Sequence, residues 1–425
     1  NIDGREGEGP DKSVFMFDPD GSLIWEFGIS GYDYYQQGIW VEELPGGDFI
    51  ATGTCRPSSS SDYALFLAKL DANGEEEWVR IYDIAESNEY GYCVAPLPDG
   101  GFLVTGRVNG SGAYLGQAWI LRTDANGDTL WTDIWGEHTV NWARRSLFIN
   151  DSLKVLTYGR IHPDSSRGPH ILTYDMNGIL ARETLVQELE DEKAPDMCFS
   201  TVDDCFTLIT SYHPQIAHVD DLGNLLWSGY LPGYGFNYGV SINGTMDGGY
   251  VYGGYNTPNP DHPWEQVSGM IVKYSSSGGV QWGDYVYEEE CAEIHSVRQL
   301  SQGGYIAAGM SWSFELGARG LLIRYAPEVG IEEGSTFPAS VILHNLSPNP
   351  FTSNLIVTYS LPESMQVSLL VYDVSGRLVG ELENSVMDAG EHTAIWDAGV
   401  LPSGCYVIRL VTEQGVETRN CVLVE

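Results

Sequence analysis

The sequence predicts an all-β chain: a β-propeller over residues 1–326, six blades favoured over seven, then a small β-sandwich over 341–425. Three observations carry this. A motif of Asp or Ser, two residues, Gly, three residues and then a large side chain returns six times. A second column of residues keeps the same period. Both stop before PEVGIEEGSTFPAS (327–340), a stretch rich in Pro, Gly, Ser and acids that reads as a linker.

The motif copies are Asp18/Gly21/Trp25, Asp71/Gly74/Trp78, Asp124/Gly127/Trp131, Asp175/Gly178/Arg182, Asp220/Gly223/Trp227 and Ser275/Gly278/Trp282. Their starts lie 53, 53, 51, 45 and 55 residues apart. The second column opens short apolar runs at Phe49, Phe102, Val155, Phe206, Tyr250 and Tyr305. Four residues later stand Gly53, Gly106, Gly159, Gly254 and Gly309, with Thr210 as the departure. Each unit reads as four short strands. In the second, CVAPL (93–97) turns through PDGG into FLVTG (102–106), and QAWILRT (117–123) turns through DANG into DTLWTDI (128–134). The DxxG stretches suit tight turns, because Asp bonds its own downstream backbone and Gly accepts positive φ. The Trp that follows is expected to start the outer strand and pack between neighbouring sheets.

At the amino end, SVFMF (13–17) has the character of a third strand and LIWEF (23–27) of a fourth. The last unit stops at a third strand, LLIRY (321–325). The simplest closure has 23–27 complete the last blade, giving six blades and leaving 13–17 surplus. Seven blades would need more chain upstream. The order of Gly-bearing second strand, third strand, turn and Trp strand resembles Kelch-type propellers and the Gly-rich propeller repeats of secreted bacterial proteins, over about residues 12–326. That resemblance implies a fold and leaves activity open, since propellers host many functions.

Beyond the linker, about seven short strands in roughly 85 residues suit a small β-sandwich. Ser347, Pro348, Asn349, Pro350 and Phe351, then Asp373, Gly376 and Arg377, then Trp396 and Asp397, then Gly404 and Tyr406 carry a further likeness. They resemble the carboxyl-terminal sorting domain of type IX secretion and the Ig-like domain of flagellar hook-capping proteins. The likeness implies a sorting or attachment motif at Pro348, Asn349, Pro350, Gly376, Trp396, Gly404 and Tyr406. It also implies export across two membranes, followed by release or surface attachment. The chain opens without Met, which fits a mature chain whose export signal is not included.

Composition narrows the partners. Acids number 59 against 21 bases, a net charge of −38, so phosphate backbones are disfavoured and no nucleic acid is expected. No run of 18 apolar residues occurs, so no transmembrane helix is expected. Seven cysteines (55, 93, 198, 205, 291, 405 and 421) are too sparse for a disulfide scaffold, and no Cys405–Cys421 bridge is expected.

In a propeller the first-to-second and third-to-fourth connections share one face, and here they are short. The opposite face collects long connections, where binding residues belong. Its candidate ligand-binding residues are Tyr34, Tyr35, Tyr90, Trp142, Phe236, Tyr238, Trp264, His295 and Trp312, beside carboxylates such as Asp33, Glu86, Glu89, Glu137, Glu190 and Glu288. Aromatics beside carboxylates suit sugars, and equally suit blade junctions and protein interfaces. Glu293 with His295 is the best acid/base candidate, though a structural, pore-lining His295 is the stronger reading. No HExxH, GxSxG, P-loop or GxGxxG occurs, and no catalytic residue is assigned. DANGD (124–128) is a hairpin turn and not a calcium loop. No cofactor is expected, with calcium at most loosely held at the acidic runs 188–192 and 288–290. The reading is an exported, non-enzymatic binding or assembly protein with protein partners or self-association; a glycan-binding or polysaccharide-degrading propeller is the alternative.

Overall fold

The computed structural model describes residues 14–18, 21–29, 35–56, 62–84, 87–110, 116–136, 141–159, 167–186, 189, 196–210, 215–230, 236–257, 267–286, 291–313, 317–326, 342–343, 346, 348–361, 364–373, 377–388, 390–399, 401–412 and 415–424. The chain divides into two compact units. One comprises Asn1–Leu231, Gly235–Gln281 and Val286–Gly330; the other comprises Pro232–Tyr234, Trp282–Tyr285 and Ile331–Glu425.

The first unit is a β-propeller. A hairpin of β1 (Val14–Phe17) and β2 (Leu23–Phe27) comes first. Blade 1 is β3 (Tyr35–Glu43), β4 (Phe49–Arg56), β5 (Ala64–Leu70) and β6 (Glu76–Tyr82). Blade 2 is β7 (Ser87–Pro96), β8 (Phe102–Gly110), β9 (Gln117–Thr123) and β10 (Thr129–Trp135). Blade 3 is β11 (Trp142–Ile149), β12 (Ser152–Gly159), β13 (Gly168–Tyr174) and β14 (Leu180–Leu185). Blade 4 is β15 (Asp196–Ser200), β16 (Cys205–Ile209), β17 (Gln215–Val219) and β18 (Leu225–Tyr230). Blade 5 is β19 (Phe236–Gly244), β20 (Tyr250–Thr257), β21 (Ser268–Tyr274) and β22 (Val280–Val286). Among the described residues blade 6 has three strands, β23 (Cys291–Gln299), β24 (Tyr305–Ser313) and β25 (Gly317–Tyr325). Every blade is an antiparallel meander in chain order. The first strands β3, β7, β11, β15, β19 and β23 neighbour one another in sequence as the inner ring. A fork from Arg298 to both carboxylate oxygens of Glu42, 3.0 and 2.7 Å, links the sixth inner strand back to the first.

Closure differs from the expectation. Among the described residues β2 pairs with β1, Val14 opposite Phe27, and β25 pairs with β24 alone. The hairpin closes over its own DxxG turn, and Val14, Phe27 and Ile29 bury themselves in the blade 1 core with Ala51, Phe66 and Leu70. These local contacts hold β2 as the outer strand of a half blade ahead of blade 1 and not as the missing strand of blade 6. One column of the repeat also shifts: in blade 3 the register sets Leu153, and not Val155, opposite Tyr174, so Thr157 takes the place of Gly53.

The DxxG motif works as a turn, and its Trp works between blades. Asp71 Oδ1 accepts the amides of Asn73 and Glu75 at 2.9 Å each, and Asp124 accepts those of Asn126 and Asp128 at 2.8 and 2.9 Å. These backbone bonds to the charged form hold the Asp71 and Asp124 carboxyls below their usual range. Gly178 has φ +86°, and a Cβ there would stand 2.7 Å from Cδ2 of Trp131, the motif residue of the preceding blade. The Gly therefore serves two needs, positive φ and room for the neighbour's indole. Trp25 lies over Gly74 and Trp227 over Gly278 in the same way. Arg182, the departure from Trp, replaces the ring with a salt bridge to Asp221 of blade 4 at 2.5 Å.

The second column has its own cause. A Cβ on Gly53, Gly106, Gly254 or Gly309 would collide with the carbonyl of Gln37, Tyr90, Tyr238 or Glu293, where the inner strand bulges. In blade 4, with Thr210 at this position, the inner-strand residues that would face it lie outside the described residues.

The second unit carries a two-sheet sandwich of seven strands. β26 (Ile342–Leu343), β27 (Asn354–Leu361) and β30 (Gly390–Asp397) make one sheet; β29 (Leu378–Met387), β28 (Met365–Asp373), β31 (Gly404–Thr412) and β32 (Gly415–Leu423) make the other. Leu355, Val357, Val367, Leu369, Trp396, Ile408 and Leu410 fill the space between them. Asn349 precedes a cis Pro350, and its Oδ1 accepts the amide of Val422 at 2.9 Å. Phe351 is buried against Trp396 at 5.3 Å, and Trp396 meets Tyr406 edge-on at 5.2 Å. The motif residues thus lock the last strand to the core. Pro348 and Gly404 are exposed, and Gly376 and the linker 327–340 lie outside the described residues. All seven cysteines are free; Cys405 stands opposite Val422, and Cys421 opposite Tyr406.

Candidate functional site

The inner-strand bulges organise one mouth of the propeller, at the end from which the longer connections leave. The unpaired bulge residues are Ile39, Tyr92, Arg144, Val240 and His295. Two residues earlier on the same strands stand Gln37, Tyr90, Trp142, Tyr238 and Glu293. Bulges re-aim side chains, and the repeat therefore stacks two tiers of them at equivalent heights. The corresponding positions of blade 4 lie outside the described residues.

Rings and guanidinium groups alternate across blades 1–3. Arg56 lies over Tyr63 at 4.9 Å, and Tyr63 stacks on Tyr90 at 5.7 Å. Arg107 stands between Tyr90 and Trp142, 5.9 and 5.8 Å from the ring centres. Arg144 lies 4.7 Å from both Tyr92 and Trp142. Trp142 meets Tyr158 at 6.2 Å, and Arg167 covers Tyr158 at 5.4 Å. A chain with 21 bases against 59 acids thus concentrates four arginines here. Burial, and repulsion from Arg107, push the Arg144 guanidinium below its usual value, with Tyr92 opposing. The Nε atoms of Arg144 and Arg167 are buried without a hydrogen-bond partner. Such a row stacks flat faces and attracts anions.

The sequence-derived candidates fall as follows. Tyr90, Trp142 and Tyr238 share one tier, on strands and not in loops. Tyr238 stacks on Tyr255 at 4.8 Å. His295 is half exposed and its Nε2 bonds Glu293 at 2.8 Å. Trp312 ends β24 opposite Cys291. Tyr35 and Phe236 begin β3 and β19. Tyr34 and Trp264, with Asp33, Glu86, Glu137, Glu190 and Glu288, lie outside the described residues. Glu89, expected as an exposed loop carboxylate, is instead on β7 and fully buried; desolvation lifts its carboxyl to about 7, with Ser87 opposing. The arginines and Tyr63, Tyr92 and Tyr158 were not singled out from sequence. The Gly column could have pointed to part of them, since Gly53, Gly106, Gly254 and Gly309 each mark a bulge on the strand beside them.

Next to the blade 3 bulge stands Arg145, a buried cation on the inner strand. Arg145 lies 4.2 Å over Trp40 and 3.6 Å from Asp196, which also accepts the amides of Met197 and Ile242 at 2.9 Å. Burial pushes the Asp196 carboxyl up, and Arg145 opposes it. A cavity of about 390 Å³ opens at the other end, lined by Glu42, Pro45, Pro98, Arg145 and Phe148 among others. The face with short turns therefore also offers a concavity.

Residues 345–424 match the secretion system C-terminal sorting domain. The sandwich is thus a type IX secretion sorting tail, and the protein is secreted or held at the cell surface. Among the described residues no helix is long and apolar enough to cross a membrane. No curated protein matches the chain. Among solved structures it is similar to a Bacteroides caccae protein of unknown function, at 14% identity and a TM-score of 0.44, over 67% of this chain and 92% of that one. It is also similar to the WD40 domain of Neurospora crassa Pan2, at 9% identity and a TM-score of 0.38, over 70% of this chain and 86% of that one. A third likeness, at 11% identity and a TM-score of 0.26, is to PorZ, a surface component of the type IX secretion system of Porphyromonas gingivalis, over 97% of this chain and 68% of that one.

Proposed function

We propose that the protein is an exported, non-enzymatic binding or assembly component of the cell exterior, adhesin-like, whose propeller binds and whose sorting tail delivers it. The supporting observation is the mouth, where Tyr90, Arg107, Trp142 and Arg144 alternate rings with guanidinium groups. This offers stacking faces and fixed positive charge, which suit a polymer with flat faces and anionic groups. The reading takes the repeat as Kelch-like and the terminal sandwich as Ig-like, with 1–326 and 341–425 as their bounds. The mouth needs no cofactor. Protein partners, including other copies of the chain, are one occupant. A second reading, an acidic glycan, is favoured by the same alternation. The test is binding of the purified chain to immobilised neutral and uronic-acid polysaccharides, with Trp142→Ala and Arg107→Ala beside it, and sedimentation over a concentration series. Retention that both variants lose, or concentration-dependent assembly, supports the reading. A monomer that binds nothing, or binding indifferent to both variants, removes it.

A further inference from the structure

Three of the six blades share one ion-pair device, and blade 4 has converted it. In blade 2 the turn residue Asp99 pairs with Arg122 of the third strand, and in blade 5 Asp247 pairs with Lys273 at 2.8 Å. Blade 1 also ties its third-strand cation to the turn, but from Asp48, which stands where blades 2 and 5 have Gly101 and Gly249, to Lys69 at 3.2 Å. Two residues after the turn Asp in blades 2 and 5 stands a Gly: a Cβ on Gly249 would strike the Tyr274 carbonyl first and then Lys273 Nζ, and one on Gly101 the Thr123 carbonyl first and then Arg122. The second-strand residue opposite the cation is apolar, Ile50, Leu103 or Val251.

Blade 4 keeps the turn acid, Asp203, and changes the other three positions together. Cys205 replaces the Gly, Thr207 the apolar residue and His218 the cation. One oxygen of Asp203, Sγ of Cys205 and a ring nitrogen of His218 lie within 4.8 Å of one another. His218 is held for ligation. Its Nδ1 faces Thr207 Oγ1 at 2.8 Å, its ring stacks on Trp227 at 5.0 Å, and its Nε2 is aimed at Asp203 Oδ2, 2.8 Å away. Metal-bound histidines are commonly oriented by such a bond at the second nitrogen. His218 and Cys205 are buried, whereas the Asp203 side chain is 46% exposed and opens the site to solvent. Asp204 and Asp220 add negative charge nearby.

We propose that Asp203, Cys205 and His218 bind a borderline-soft divalent cation of the zinc class. The ion supplies the positive charge that Arg122 and Lys273 supply in blades 2 and 5. One thiolate, one imidazole and one carboxylate suit zinc, with water as the fourth ligand, and do not suit calcium, which takes six to eight oxygens. On binding, the Cys205 thiol loses its proton to solvent, the imidazole proton leaves Nε2 and the ring takes the tautomer whose Nδ1–H donates to Thr207 Oγ1, and the Asp203–His218 hydrogen bond gives way to two metal bonds.

The test is titration of the full chain, thiols kept reduced, with Co²⁺ and then Zn²⁺. The expected result is one equivalent of Co²⁺ producing a thiolate charge-transfer band and tetrahedral visible bands, both erased by Zn²⁺. Cys205→Ser should weaken the ion at least tenfold. The double variant Cys205→Gly with His218→Lys restores the turn Gly and the third-strand cation of blade 5 opposite Asp203, so it should fold and lose the band. The absence of a thiolate band in the wild type, or a band undiminished in the folded double variant, overturns the proposal.

Discussion

Glu89→Gln isolates the energetics of the buried carboxyl under the aromatic row. Glu89 is 0% exposed; Ser87 Oγ donates to its Oε1, while its Oε2 is buried without a partner. Desolvation is the leading reason its pKa rises from 4.5 to about 7; Asp83 and Asp62 raise it further, and Ser87 and the Ile84 backbone oppose. Because the folded value lies above the unfolded one, the fold prefers the protonated acid. That contribution is complete below about pH 4.5 and is lost as pH rises through about 7. The displacement is worth on the order of 3 kcal/mol. Gln imitates the neutral acid and does not titrate. Urea unfolding of both proteins, followed by fluorescence between pH 5 and 8, should show the variant close to wild type at pH 5 and more stable by about 2–3 kcal/mol at pH 8. The common titrations of the other acids cancel in the comparison. A difference that stays constant with pH, or shrinks toward pH 8, refutes the argument.

Other outcomes follow from the packing. Gly178→Ala adds a methyl at positive φ against Trp131 and should cost about 2–4 kcal/mol by urea denaturation, less when Trp131→Ala is present. Arg145→Met strands the buried Asp196 carboxylate and should cost about 3–5 kcal/mol, most of it recovered by adding Asp196→Asn. Asn349→Ala removes the acceptor of the Val422 amide; hydrogen exchange over 415–424 should quicken about fivefold, the counterpart of about 1 kcal/mol.

The propeller was legible because each period repeats the same two steric demands. Asp71 and Gly74 set a turn, and Trp25 from the preceding sheet needs the Gly bare, so the motif survives wherever a blade meets a neighbour. Closure was not legible, because 23–27 has the same motif grammar whether it pairs with 13–17 or with 317–325. Only the pairing decides it: among the described residues β2 pairs with β1, and β25 with β24 alone. The mouth was half legible. Aromatics near strand ends drew notice, but a bulge shows in sequence only through the Gly opposite, so Tyr92 and Arg144 were passed over. The blade 3 column slipped by two residues because Gly159 imitates the bulge marker that Thr157 replaces.

Departures from the repeat fall into two kinds, and the difference separates structure from function. Some come with a compensating partner. Arg182 loses the indole and gains Asp221. Such pairs restore the fold and need no further explanation. Others leave a demand unmet. Arg144 brings a buried guanidinium to a bulge, where Ile39 and Val240 stand in blades 1 and 5, and its Nε finds no acceptor. Cys205, Thr207 and His218 surrender a formal positive charge opposite Asp203 that blades 2 and 5 retain. Stability alone would have kept Ile or Val at the first site and Gly with Lys at the second, since this chain already contains those solutions. Residues that forgo a solution available one blade away are therefore better explained by what binds them than by the fold they share.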